Sequence, residues 1–329
     1  MPVADLLCFG ARADVVAAAE HALASGAPAN DAPILDGIEA LELTLLDDPS
    51  DMFRAVTVAE AHMDIGWAWR GTGWLDEVPR CSLRAFEAHF DRARDILMPF
   101  QKTAPTSPIC LSAWCGLNGA SLAPDARVSR DYEQLIDLNP ANPGPMRALG
   151  NYLSPRWYGS HEELELQARR TAARTHNDWG AGAYTWVMFD ALPGDSVACA
   201  NLDIEFFIDG LHDILTRRAD QHTANLLAAF CAHTIGQYKT GIPRADDNRA
   251  QIADCAHWIV RKHLKEVHPL VWAHAAVGFD NSTRVASTRR FAAQGRKNAL
   301  QVIAALFQRE IEDGRRIVFT ANGPVAEQN

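Results

Sequence analysis

The feature that most constrains this chain is an alternation that runs from one end to the other. Alanine- and leucine-rich segments with helical spacing give way, at short intervals, to clusters of Pro, Gly, Asn and Asp. Apolar residues that recur three and four positions apart mark helix faces, and the clusters between them mark turns. The expectation is an all-α chain of successive helices. The spacing predicts helices near 13–25, 35–46, 51–70, 81–98, 161–175, 179–192, 203–218, 221–238, 247–264, 267–277 and 287–312. Ser50 is expected to N-cap the helix at 51–70, along which Phe53, Val56, Ala59, Met63 and Trp67 trace one apolar stripe. Gly71 and Gly73 stop that helix, and GAPANDAP at 26–33 reads as a linker. Ser160 with Glu163 makes an S-x-x-E capping box that starts a helix at His161. The tail RRIVFTANGP alternates Ile317 and Phe319 with polar residues and reads as a short strand or an extended arm.

Composition sets the outer bounds. With 329 residues, 48% of them hydrophobic and 22% charged, the chain has enough apolar material for a large core and is not of the disordered class. Its formal net charge of -10 has the wrong sign for a surface that tracks phosphates, so nucleic acid is not an expected partner. The basic run Arg169, Arg170 and Arg174 reads as a solvated helix face. Seven scattered cysteines, odd in number and without a C-x-x-C pair, point to reduced thiols in a cytoplasm and away from a disulfide framework or a zinc site. No basic start followed by a long apolar run is present, and no stretch is long enough to span a bilayer, so no membrane association is expected.

The segment LNPANPGPMRALGNYL resembles a tetratricopeptide junction, in which an Asn-Pro turn leads into a helix with Leu-Gly in its middle and a bulky residue three positions later. Leu149, Gly150 and Leu153 take those places, and Ile65-Gly66 with Trp69 echoes them. Gly is wanted there because a second helix packs almost backbone to backbone at that point. WAWRGTGW and LSPRWYGSHEE are similar to an uncharacterised bacterial family of tetratricopeptide-like helical proteins, over about residues 50–190. The resemblance implies an α-solenoid of antiparallel helix pairs with irregular repeats. The region 200–329 shows no alignable repeat, and the chain as a whole is expected to form one extended helical domain over 1–329, divisible into 1–195 as the tetratricopeptide-like half, 196–315 as a helical C-terminal half and 316–329 as an extended tail. The resemblance implies no activity.

The chemistry-bearing residues are sparse. Glu205, Asp209 and His212 fall at i, i+4 and i+7 on one helix face, with the D-x-x-H spacing of half a helical carboxylate metal site, yet a second such element is missing. His257, His263, His268 and His274 do not share a helix face, and HExxH, G-x-S-x-G and a phosphate-cradling loop are absent. No cofactor is called for. What remains is an aromatic and arginine set. Placed on a tetratricopeptide-like solenoid, Trp67, Arg70, Arg147, Asn151 and Ser154 would line the concave groove, and Trp and Arg are the types that anchor interfaces. The leading expectation is a non-enzymatic scaffold that binds a protein or peptide, with groove arginines favouring an acidic segment or a C-terminal carboxylate. The alternatives are a helical metal-dependent enzyme at Glu205, Asp209 and His212, and a homo-oligomeric structural subunit that assembles through Leu300, Ile303, Leu306, Phe307 and Ile311.

Overall fold

The computed structural model of the chain describes residues 3–26, 32–71, 78–118, 126–155, 157, 159–235, 239–278 and 287–328. Among these the chain is all-α apart from one C-terminal hairpin. It packs as two compact units, Met1–Pro145 and Met146–Asn329. Gly73, Trp74, Arg156 and Tyr158, and most of the linker at 26–33, lie outside the described residues.

The first unit contains α1 (Val3–Ala24), α2 (Ala32–Leu43), α3 (Met52–Arg70), α4 (Arg80–Leu97), α5 (Pro108–Leu117) and α6 (Ala126–Leu138). α3 is its hub, with α1, α2, α4 and α5 packed around it. The reason is composition: Ala55, Val56, Val58, Ala59, Ala61 and Ile65 are buried over most of the circumference of the helix, and Glu60 and Asp64 on the remaining face are held by Arg12 of α1. Its N-cap is Asp51, which accepts from the amides of Phe53 at 2.9 Å and Arg54 at 3.2 Å. Ser50 instead gives its hydroxyl proton to Asp48. The cap therefore sits one residue later than the spacing predicts, where a carboxylate adds charge favourable to the helix N-terminus. Phe53 is 52% exposed, so the buried stripe begins at Val56. Gly71 ends the helix at φ 67°, a left-handed conformation that other residues enter only at a cost.

α4 has the opposite character. Phe86, Phe90, Ala93, Ile96 and Leu97 are buried on one face and charged residues occupy the other. It runs antiparallel to α3, so that His62 meets His89 while Trp67 meets Phe86. Trp67, Phe86 and Phe90 form an aromatic knot with ring centroids 4.5, 5.0 and 5.8 Å apart.

The second unit begins within α7 (Gly144–Tyr152) and continues through α8 (His161–Arg174), α9 (His176–Trp179), α10 (Gly182–Met188), α11 (Ser196–Asn201), α12 (Ile204–Arg217) and α13 (Gln221–Ala229). A π-helical turn at Phe230–Ile235 follows, then α14 (Pro243–His263), α15 (Pro269–Ala275), α16 (Thr288–Leu306) and α17 (Gln308–Glu312). α8 starts at His161 as the spacing predicts, and Ser160 Oγ accepts from the Glu163 amide at 3.1 Å. Only half of the capping box forms, because the Glu163 carboxylate accepts from Gln167 instead. α10 is buried over its whole length, with α8 and α12 packed against it. At Gly150 a β-carbon would collide with the Val187 carbonyl, which is the backbone-to-backbone approach expected there. At Gly66 the neighbour is the Phe90 side chain, 3.1 Å from where a β-carbon would stand.

Two buried polar side chains tie this unit together. Asn225 donates to the Gln221 and Glu266 carbonyls and accepts from the His268 amide and the Trp272 indole, so its amide is fully used. Arg249 spreads its guanidinium over the carbonyls of Ile235, Leu192 and Pro193 at 3.1–3.3 Å. The chain closes on β1 (Arg315–Thr320) and β2 (Gly323–Gln328), an antiparallel hairpin with a two-residue turn that places Val318 opposite Val325. The tail is thus paired strand, lying on α14 and α17.

Candidate functional site

Five positions were expected to line a binding groove, and they fall in the two units separately. In the first, Trp67 lies half-buried on the core, tilted against Phe86 and edge-on to Phe90. Arg70, one turn on, sets its guanidinium 5.7 Å from the Trp67 ring and donates to the Gly71 carbonyl at 3.0 Å. Trp69 turns the other way, into a cluster with Ala19, Ile38, Ala61 and Ile65. In the second unit Arg147 grips Asp190 through two hydrogen bonds of 2.7 and 2.8 Å and lies over the Phe189 ring at 4.7 Å. Its charge is therefore matched within its own unit. Asn151 is half-buried, and Ser154 is buried at the turn that follows α7, where its amide bonds the Asn151 carbonyl.

Glu205, Asp209 and His212 stand on the exposed face of α12. The His212 ring lies flat on Trp258, 3.9 Å between centroids and 13° from parallel, and so is engaged in stacking. Among the described residues no group of three or more His, Cys, Asp and Glu side chains is arranged to hold a metal ion. The seven cysteines form no disulfide; six are buried and Cys81 is exposed. On the α16–α17 face, Ile303 and Phe307 are buried, whereas Leu300 and Ile311 stay exposed. No helix among the described residues is long and apolar enough to cross a membrane.

Two features went unnoticed in the sequence. The first is a polar chain linking α2, α3 and α4. Glu42 accepts from His62 Nε2 at 2.8 Å and from Arg92 through two bonds of 2.8 and 3.0 Å, while His62 Nδ1 faces His89 Nδ1 at 2.9 Å. The Arg92 hydrogen bonds hold the Glu42 carboxyl below its usual range. Burial pushes His62 down despite Glu42, and it pushes His89 down to about 4, with His62 acting in the same direction. The carboxylate therefore fixes a proton on His62 Nε2, bare Nδ1 accepts from His89, and His89 Nε2 is left as an acceptor. These hydrogen bonds brace α2, α3 and α4 against one another. A His set in the apolar run AEAHMDIG was the available signal.

The second is an exposed apolar corner. Ala4, Cys8, Leu41, Leu45 and Met52 pack into one core cluster at the meeting of α1, α2 and α3. Their chain neighbours Val3, Leu7, Leu46 and Phe53 stand outside it, 73, 68, 74 and 52% exposed, and Leu43, at the end of α2, is exposed too. Cys8 Sγ donates to the Phe53 carbonyl and Arg54 to the Thr44 carbonyl, so these segments meet at one end of the three helices, and exposed apolar residues gathered in this way mark a contact site more often than isolated ones do. Compared with protein-family models, curated proteins and solved structures, the chain matches none of them.

Proposed function

We propose that the chain is a non-enzymatic binding or scaffold protein, a tetratricopeptide-like α-solenoid whose surface holds a protein or peptide segment. The observation that carries this reading is the apolar corner of the first unit, where five large aliphatic or aromatic side chains lie open to water at the junction of three helices. Burying such a group against a partner gains about 1.5 to 3 kcal/mol per side chain, before association costs are subtracted. At the far end of α3, Trp67 and Arg70 offer the aromatic and cationic pair expected for an acidic or C-terminal carboxylate ligand. Arg147, matched to Asp190, is a weaker candidate for that role. Cysteines without disulfides fit a reducing compartment such as a cytoplasm.

The test compares the wild-type chain with Leu7→Glu/Leu46→Glu as baits in a native lysate, read by mass spectrometry, with light scattering of each bait alone. The expected result is a partner enriched on the wild type and depleted about tenfold or more on the variant, a loss of about 1.4 kcal/mol. Both baits should melt at the same temperature. Capture that ignores the variant contradicts the reading; wild-type self-association that the variant abolishes transfers it to a self-assembling subunit.

A further inference from the structure

The apolar corner carries an excess of negative charge, within which Arg54 is shared by Asp47 and Asp51 and Arg92 holds Glu42. The first 54 residues hold ten carboxylates against two arginines, and both arginines are occupied. Arg12 is held by Glu60 at 2.7 Å and Asp64 at 2.8 Å, and Arg54 by Asp47, Asp51 and the Thr44 carbonyl. Asp36, Glu39 and Leu43 are exposed and fall three or four residues apart, so they share one face of α2. Asp47, 75% exposed, and Asp48, also exposed, follow Leu46 in the chain, while Asp51 caps α3 and shares Arg54 with Asp47.

From this juxtaposition we infer that the corner docks a cationic amphipathic helix of a partner protein, its apolar stripe on Leu7, Leu43, Leu46 and Phe53 and its lysines or arginines over the acidic border. The inference rests on the binding reading above and names the chemistry of its partner. A helix suits the surface because residues at i, i+3, i+4 and i+7 present a narrow apolar stripe flanked by charge, which matches an apolar patch with an acidic border. A second copy of the chain is disfavoured, since an isologous contact would set the acidic border against itself. An anionic bilayer is repelled by the same carboxylates, in a molecule whose net charge is -10.

Two fluorescent model peptides of about four turns test this, one built from leucine and lysine and the other with glutamate in place of lysine. Anisotropy with the full chain should show the cationic peptide binding at least about tenfold tighter, the preference shrinking as salt screens the border. Asp47→Lys/Asp48→Lys should remove most of that preference, and Leu43→Ser/Leu46→Ser should weaken binding of the cationic peptide about tenfold or more. Glu312→Lys/Asp313→Lys, acidic residues of the second unit, should change nothing, which separates the corner from the general field of the molecule. All of these positions are exposed, so folding survives the changes. The inference is overturned if both peptides bind alike, if the anionic one wins, if neither binds, or if the corner variants behave as wild type. If the lysate partner is still lost on Leu7→Glu/Leu46→Glu while the peptides fail, the binding reading stands and only this partner chemistry falls.

Discussion

His62 and His89 meet nitrogen to nitrogen, Nδ1 to Nδ1 at 2.9 Å, and a separation that short admits one proton between the two rings. Burial lowers both pKa values below the ordinary imidazole value, His89 to about 4. As pH falls, the unfolded chain binds protons first, so the fold loses stability. The contribution is fully present above about 6.5 and is lost progressively on the way down to about 4. Glu42, also depressed, acts in the same direction at the acidic end. Thermal unfolding should show a melting point that drops between pH 7 and pH 4.5, with a shallower drop in His89→Phe. Equal slopes in the two proteins would show that the pair does not control acid stability.

Gly150 and Gly66 occupy matching places in the repeat-like motif but face different neighbours. A β-carbon at Gly150 meets the Val187 carbonyl, which is backbone and cannot step aside, whereas at Gly66 it meets the Phe90 and His89 side chains at 3.1–3.3 Å. Gly150→Ala should destabilise by about 2 to 3 kcal/mol, and Gly66→Ala by less than about 1 kcal/mol, because helix propensity offsets the tight contact. The two melting temperatures, measured side by side, decide it.

Arg70 and Arg147 should separate on charge reversal. Arg147→Glu places a second carboxylate against the half-buried Asp190 and should cost about 3 kcal/mol, whereas Arg70→Glu, which loses the contact with Trp67 and a favourable charge in the last turn of α3, should cost about 1 kcal/mol. Asp190→Arg combined with Arg147→Glu should recover part of the loss. No recovery would show that the pair is not coupled.

Arg249 satisfies three carbonyls from two separate segments with one rigid fork. Arg249→Met should remove the donor shared by the Ile235 and Pro193 carbonyls, while Leu192 keeps the Asp195 amide and the Cys199 thiol, and should cost about 2 kcal/mol. Arg249→Lys should recover little, since an ammonium lacks the span of the guanidinium. A lysine variant as stable as wild type would remove Arg249 from its bridging role.

The helices and turns were legible because periodicity and punctuation are local. Ser160, Gly71 and the starts of α8, α12 and α13 lie where spacing places them. Asp51 was missed by one residue because Ser50 and Asp51 are both good caps, and only the geometry shows which side chain reaches the free amides. Phe53 fits the periodic stripe yet stands in solvent, since spacing assigns a face without saying what covers it. The same limit hid the apolar corner, which is assembled from three helices. Pairings over long separations were also out of reach: Arg147 finds Asp190 43 residues away, and Arg92 finds Glu42 50 residues away. Nothing local marks either pair.

The most direct measurement of the central claim is photo-cross-linking in the native lysate, with benzoylphenylalanine placed singly at Leu46 and Phe53 and, as controls, at the exposed Leu166 and Val197 of the second unit. The account predicts one discrete heavier adduct from positions 46 and 53, competed away by untagged chain and missing from both controls. The same adducts from all four positions, or none from Leu46 and Phe53, would contradict it.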